Sequence, residues 1–163
     1  MNVEEAIQKL FISKGWTVAT AESCTGGAIA AHLTAIPDSS RYFQGGMVTY
    51  SNEMKVRWLG VAEQTLKLYG AVSEQVAIEM AQGVLQRAES TFALAVTGIA
   101  GPTGATPDKP IGMVCGAIAQ IGAPTYAFTF HCPGDRKAVI TASTGKMLNA
   151  LLHSAQQRSA VSQ

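Results

Sequence analysis

Ser23 stands in a short polar run, Ala21-Glu22-Ser23-Cys24-Thr25-Gly26-Gly27, that follows an apolar stretch. A serine between a buried strand and a helix start lies near backbone N–H groups and the positive end of a helix dipole. Such donors stabilise the oxyanion formed when a hydroxyl attacks a carbonyl. Ser23 or Thr25 at this place also suits a simple helix cap. Cys24 is a rival nucleophile, because a helix N-terminus lowers a thiol pKa, although isolated cysteines more commonly pack in cores. The run is not the G-x-S-x-G elbow of the α/β-hydrolases.

A serine nucleophile needs a base. His32 and His153 fall within helical patterns and His131 follows a strand, so structural or surface roles suit all three. Tyr50-Ser51-Asn52-Glu53-Met54-Lys55 offers more. Tyr50 ends a strand and Lys55 lies one helical turn onward, so both can point at one loop cluster. A desolvated lysine loses its proton near neutral pH and activates a serine, while a tyrosine relays or donates a proton. The sequence leaves open which of the two is the base.

A second glycine-rich loop, Thr97-Gly98-Ile99-Ala100-Gly101-Pro102-Thr103-Gly104, also follows an apolar run. It has no Walker lysine and is not an NTPase P-loop. Its backbone amides suit a phosphate, a carboxamide or a pyridine ring, with Thr97, Gly98 and Gly101 as the residues nearest a ligand. Further on, Pro133-Gly134-Asp135-Arg136-Lys137 puts two cations in the first turn of a helix. They oppose the helix dipole, a local cost that a bound anion removes, and Arg136 suits a phosphate clamp or a solvated surface. The histidines and cysteines lack the paired spacing of a zinc site, so no metal is expected.

The elements that must position these residues are legible from periodicity. Asn2 and Glu5 form a capping-box pattern for a helix with Val3, Ile7, Leu10 and Phe11 on one face, stopped at Gly15. Trp16 to Ala21 reads as a buried strand, Gly26 to Leu33 as a small-residue helix, and Gly46 to Tyr50 as a second strand. Ser51-Asn52 opens a short helix through Trp58. Ser73 caps a strong helix bearing Val76, Met80 and Val84, and Thr91 to Val96 is the next strand. Ile111 to Ile121 and Thr125 to Phe130 form a hairpin about Gly122-Ala123-Pro124. A final helix begins near Asp135, with a polar tail after His153 expected to fray. Strands alternate with helices early and form a hairpin late, which predicts an α/β domain with a mixed sheet covered by helices.

The chain of 163 residues, 47% hydrophobic and 14% charged with a net charge of +1, fits a single globular domain. Low charge disfavours nucleic acid as a partner, and no apolar stretch is long enough to span a bilayer. Three unpatterned cysteines and the absence of a signal-peptide pattern fit a reducing cytoplasm.

Ala-Glu-Ser-Cys-Thr-Gly-Gly, Val-Thr-Tyr-Ser-Asn-Glu-x-Lys, Gly-Ala-Val-Ser, Thr-Gly-Ile-Ala-Gly-Pro, Lys-Pro-Ile-Gly and Gly-Asp-Arg occur in this order over residues 21–136. In these motifs the chain resembles the CinA C-terminal-domain family, which includes nicotinamide mononucleotide amidohydrolases, the PncC enzymes. The resemblance implies a three-layer α/β/α domain and a homodimer. It implies a serine amidohydrolase that needs no cofactor and acts on a small pyridine mononucleotide, releasing ammonia and nicotinate mononucleotide. Ser23 then matches the nucleophile, and Tyr50 and Lys55 its activating partners. Thr97, with backbone amides near Thr25 and Gly26, would hold the oxyanion, and Arg136 would meet the phosphate. The large N-terminal domain of full-length CinA proteins has no counterpart here, so its pyrophosphatase activity is not implied. A catalytically silent nucleotide-binding or regulatory module fits the same motifs.

Overall fold

The computed structural model of the protein describes residues 1–163. Its elements follow in the order α1 (Val3–Lys14), β1 (Val18–Glu22), α2 (Ala28–Thr34), a 3₁₀ turn (Ser39–Arg41), β2 (Phe43–Val48), α3 (Asn52–Leu59), α4 (Glu63–Tyr69), α5 (Glu74–Ala88), β3 (Phe92–Gly98), β4 (Met113–Gln120), β5 (Tyr126–His131) and α6 (Arg136–Val161). The strands form one mixed sheet in the order β2-β1-β3-β4-β5. β1 is parallel to both β2 and β3, and the β3–β4 and β4–β5 pairs are antiparallel.

Alternate residues of the buried strands face two separate cores. Phe92, Leu94 and Val96 of β3 join Ile7 and Phe11 of α1, Ile29 and Leu33 of α2, and Met147 and Leu151 of α6 on one side. Ala93 and Ala95 join Val76, Met80 and Val84 of α5 and Leu59 of α3 on the other. Small alanines on that second face let α5 lie close to the sheet. Covered on both faces, β1 is buried throughout and β3 reads as a near-continuous apolar run rather than an alternating one.

The expected capping box at Asn2 and Glu5 is present, and Ser51, Ser73 and Asp135 cap α3, α5 and α6 through their side chains. Several boundaries differ from the sequence reading. Trp16 belongs to the close of α1, its N–H donating to the Phe11 carbonyl at 2.9 Å, so β1 starts later and extends through Glu22. α2 begins at Ala28 because Gly26 and Gly27 both take positive φ. β2 ends at Val48 because Thr49 and Tyr50 turn their carbonyls to Lys55. The sequence reading had no element where α4 lies; this helix lacks a side-chain cap and buries no residue fully.

The tail after His153 is a correction: α6 continues to Val161, burying Ser154 and Ala155. Arg158 secures it, lying over the Trp16 and Phe92 rings at 5.6 and 5.8 Å and donating to the Ile121 carbonyl at 2.8 Å. No helix is long and apolar enough to cross a membrane.

Candidate active site

The chain leaves β1 on the α2 side, returns as β2, then crosses the other face through α3, α4 and α5 to reach β3. Strand order therefore reverses about β1, and a crevice opens at the carboxyl ends of the strands, the usual ligand site of such sheets. β5 runs parallel to β3 through the antiparallel β4, so its carboxyl end and the start of α6 reach the same edge. Ser23 arrives from β1, Tyr50 and Lys55 from beyond β2, Thr97 from β3 and Arg136 from α6. All five line one cavity of about 270 Å³, at the small end for small-molecule sites.

Ser23 and Lys55 meet at its floor. Lys55 Nζ lies 3.0 Å from Ser23 Oγ, 3.0 Å from the Thr49 carbonyl oxygen and 3.4 Å from that of Tyr50. The lysine side chain is 1% exposed and has no carboxylate partner. Burial without a counter-ion disfavours the ammonium and pushes Lys55 down to about 8. Protonated, Nζ donates to all three oxygens; once neutral, it donates to the two carbonyls and turns its lone pair to the Ser23 hydroxyl, the arrangement of a general base.

The turn carrying Ser23 is fixed by Glu22, a residue the sequence reading passed over. Its buried carboxylate accepts from Thr25 Oγ1 at 2.5 Å, Ile29 N–H at 2.9 Å and Ala30 N–H at 3.0 Å. It thus caps α2, whose own N-cap Gly27 has no side chain to offer. Consequently the first-turn donors of α2 are already occupied. Thr25 holds Glu22 with its hydroxyl, Gly26 N–H is bonded to the Ser23 carbonyl at 3.0 Å, and neither residue lines the cavity. The N–H groups of Cys24 and Thr25 have no protein acceptor and remain available. Burial pushes the Cys24 thiol up to about 12, the opposite of a reactive cysteine.

Thr97 is buried and donates its hydroxyl to the Ala71 carbonyl at 2.9 Å. That bond holds the Gly70–Ser73 segment against the cavity, a wall the residue-by-residue reading did not identify. Gly98 permits close approach of the two loops: an added Cβ would sit 3.1 Å from Cys24 Sγ and 3.0 Å from the Met113 carbonyl oxygen. Gly101, at φ +83°, turns its carbonyl to Arg136, which donates to it at 2.9 Å. Arg136 also donates to Tyr50 Oη at 2.7 Å. Tyr50 therefore meets Lys55 through its backbone carbonyl and Arg136 through its hydroxyl. Its side-chain bond is to the anion-binding candidate rather than to Ser23.

No histidine lines the cavity. His32 pairs with Glu4 at 2.7 Å and His131 with the Ile111 carbonyl at 3.0 Å. No three His, Cys, Asp or Glu side chains cluster in a way that could hold a metal ion. Asn52 and Thr103 complete the polar wall; both sit in the motif regions read from sequence, although neither was singled out.

Comparison with known proteins accords with this architecture. The chain is 52% identical over 139 residues to a CinA-like protein of Chloroherpeton thalassium, covering 83% of this chain and 33% of that protein. It thus spans about a third of the length of the curated relatives it matches. The crystal structure of competence/damage inducible protein CihA from Agrobacterium tumefaciens is 40% identical, with a TM-score of 0.88 over 93% of this chain and 94% of that one. The competence damage-inducible protein A (ComA) of Klebsiella pneumoniae superposes with a TM-score of 0.89 at 36% identity, covering 93% of each chain. The model of the CinA C-terminal domain matches residues 1–155, and the chain belongs to that family.

Proposed function

We propose that the protein is a serine amidohydrolase that converts nicotinamide mononucleotide to nicotinate mononucleotide and ammonia. The observation that carries this reading is the buried Lys55 side-chain nitrogen, 3.0 Å from Ser23 Oγ and without a counter-ion. In the reaction, neutral Lys55 takes the Ser23 proton as Oγ attacks the carboxamide carbon. The Cys24 N–H group, on the cavity wall, meets the developing oxyanion. The C–N bond then breaks, Lys55 returns the proton to the departing ammonia, and an acyl-serine remains. Water, deprotonated by Lys55, attacks that ester and releases the carboxylate and the Ser23 hydroxyl. Arg136 anchors the phosphate, a charge-assisted contact that leaves the reacting end free to approach Ser23.

On this reading the protein acts on a small molecule, as a homodimer and without a metal or organic cofactor. Its three buried free cysteines suit a reducing cytoplasm. The test is ammonia release from nicotinamide mononucleotide by the metal-stripped protein and its Ser23→Ala variant. Release by the wild type, reduced at least ~100-fold in the variant, is expected. Equal release by both proteins overturns the assignment of Ser23, and binding without release by the wild type favours a silent nucleotide-binding module.

A further inference from the structure

Most polar side chains on the cavity wall are already engaged. Ser23 accepts from Lys55, Lys55 also donates to two carbonyls, Thr97 donates to Ala71, and Arg136 reaches Gly101 and Tyr50. Asn52 and Thr103 differ, since neither side chain has a protein hydrogen-bond partner. Both are exposed to solvent at the wall, so engaging a ligand would break no protein contact there.

Their position narrows what they meet. Arg136 is held between Tyr50 Oη and the Gly101 carbonyl. Asn52 stands two residues beyond Tyr50 and Thr103 two residues beyond Gly101. A two-residue step spans at most about 7 Å, so Asn52 lies on the segment that carries Tyr50 and Thr103 on the loop that carries Gly101, both on the wall of the cavity that Arg136 lines. The chemistry is complementary as well. Lys55, Arg136 and the free loop amides are donors, matched to a phosphate and a carboxamide oxygen. Sugar hydroxyls must also donate, and Asn52 Oδ1 and Thr103 Oγ1 are the unpaired side-chain acceptors available to them.

We propose that Asn52 and Thr103 are specificity-determining residues that receive the ribose hydroxyls of a pyridine mononucleotide, selecting the ribosylated substrate over the free base. This assignment rests on the amidohydrolase reading of the cavity, but its test does not require turnover. Calorimetric binding of nicotinamide mononucleotide and its 2′,3′-dideoxy analogue is measured on the Ser23→Ala protein, with and without Asn52→Ala or Thr103→Val. Each substitution is expected to weaken binding of the nucleotide about tenfold, the size of one net hydrogen bond. The dideoxy analogue should bind the substituted and unsubstituted proteins within about twofold of each other.

Equal weakening for both ligands, or none for either, overturns the ribose assignment. Failure of the wild type to release ammonia overturns the amidase reading separately, while the binding cycle still reports on the sugar. If the nucleotide does not bind the Ser23→Ala protein at all, both readings fall.

Discussion

Arg136 donates to Tyr50 Oη at 2.7 Å, tying the first turn of α6 to the segment that follows β2. The bond crosses 86 residues of sequence and sets the tyrosine hydroxyl to work on the guanidinium. Tyr50→Phe is therefore expected to raise KM for nicotinamide mononucleotide roughly five- to tenfold, the loss of one hydrogen bond that orients Arg136. A double-mutant cycle with Arg136→Ala should be strongly non-additive. Steady-state kinetics decides the matter, because a proton relay through Tyr50 would instead lower kcat by about a hundredfold with KM unchanged.

Lys55 as the proposed base predicts a pH profile. Burial holds Lys55 at about 8, so about a tenth is neutral at pH 7. The rate is expected to climb about tenfold per pH unit below that value and to level off above about pH 9. Lys55→Met should reduce turnover by at least ~100-fold and remove this limb. A flat profile in the wild type, measured as ammonia release from pH 6 to 10, would contradict Lys55 as the base.

The same lysine makes stability depend on pH. Unfolded, Lys55 keeps its proton to about 10.5; folded, it releases it near 8. Between these values the unfolded chain binds more protons, so raising the pH favours the fold. Relative to Lys55→Met, the wild type should gain up to about 3 kcal/mol as pH rises from 7 to 10.5. Urea unfolding of both proteins across that range measures the difference; a gap that stays constant or moves the other way contradicts the prediction.

Glu22 holds its turn by three hydrogen bonds, two of them buried and one half-buried. Glu22→Ala leaves the Thr25 hydroxyl and two helix N–H groups without acceptors and is expected to destabilise the protein by about 3 kcal/mol. Glu22→Gln, which keeps one carbonyl oxygen, should lose less. In the Gln variant kcat should fall while KM stays near the wild-type value, since the Ser23 turn is disturbed and the Arg136 end is not. Thermal unfolding and kinetics on the two variants provide the check.

Helices with strong caps and periodic faces were legible in the sequence: Asn2, Ser51, Ser73 and Asp135 each mark a start. The central strands were legible as apolar runs, displaced at their ends where side chains and backbone trade partners. Trp16 closes a helix by a backbone bond, and the Thr49 and Tyr50 carbonyls turn from the sheet to an amine; neither event leaves a trace in residue type. Arg158 was hidden for a related reason, because a lone arginine in a polar tail gives no hint that two aromatic rings lie beneath it. At the site, the serine, lysine and arginine stood out by chemistry. Glu22 did not, since a glutamate beside a serine reads as a solvated loop residue until three donors are seen around it. Hydroxyl and amide commitments were equally invisible: Thr97 and Gly26 look like free donors until Ala71 and the Ser23 carbonyl are found opposite them.

Ser23 and Lys55 are separated by 32 residues and meet only because β1 and β2 lie side by side. Before those strands pair, the serine has no base and the lysine is an ordinary solvated amine. On the proposed amidase reading the nascent chain is inert toward amides, and the reactive hydroxyl is created by the act of folding. Recovery of ammonia release after dilution from denaturant would accordingly serve as a clock for the pairing of β1 with β2.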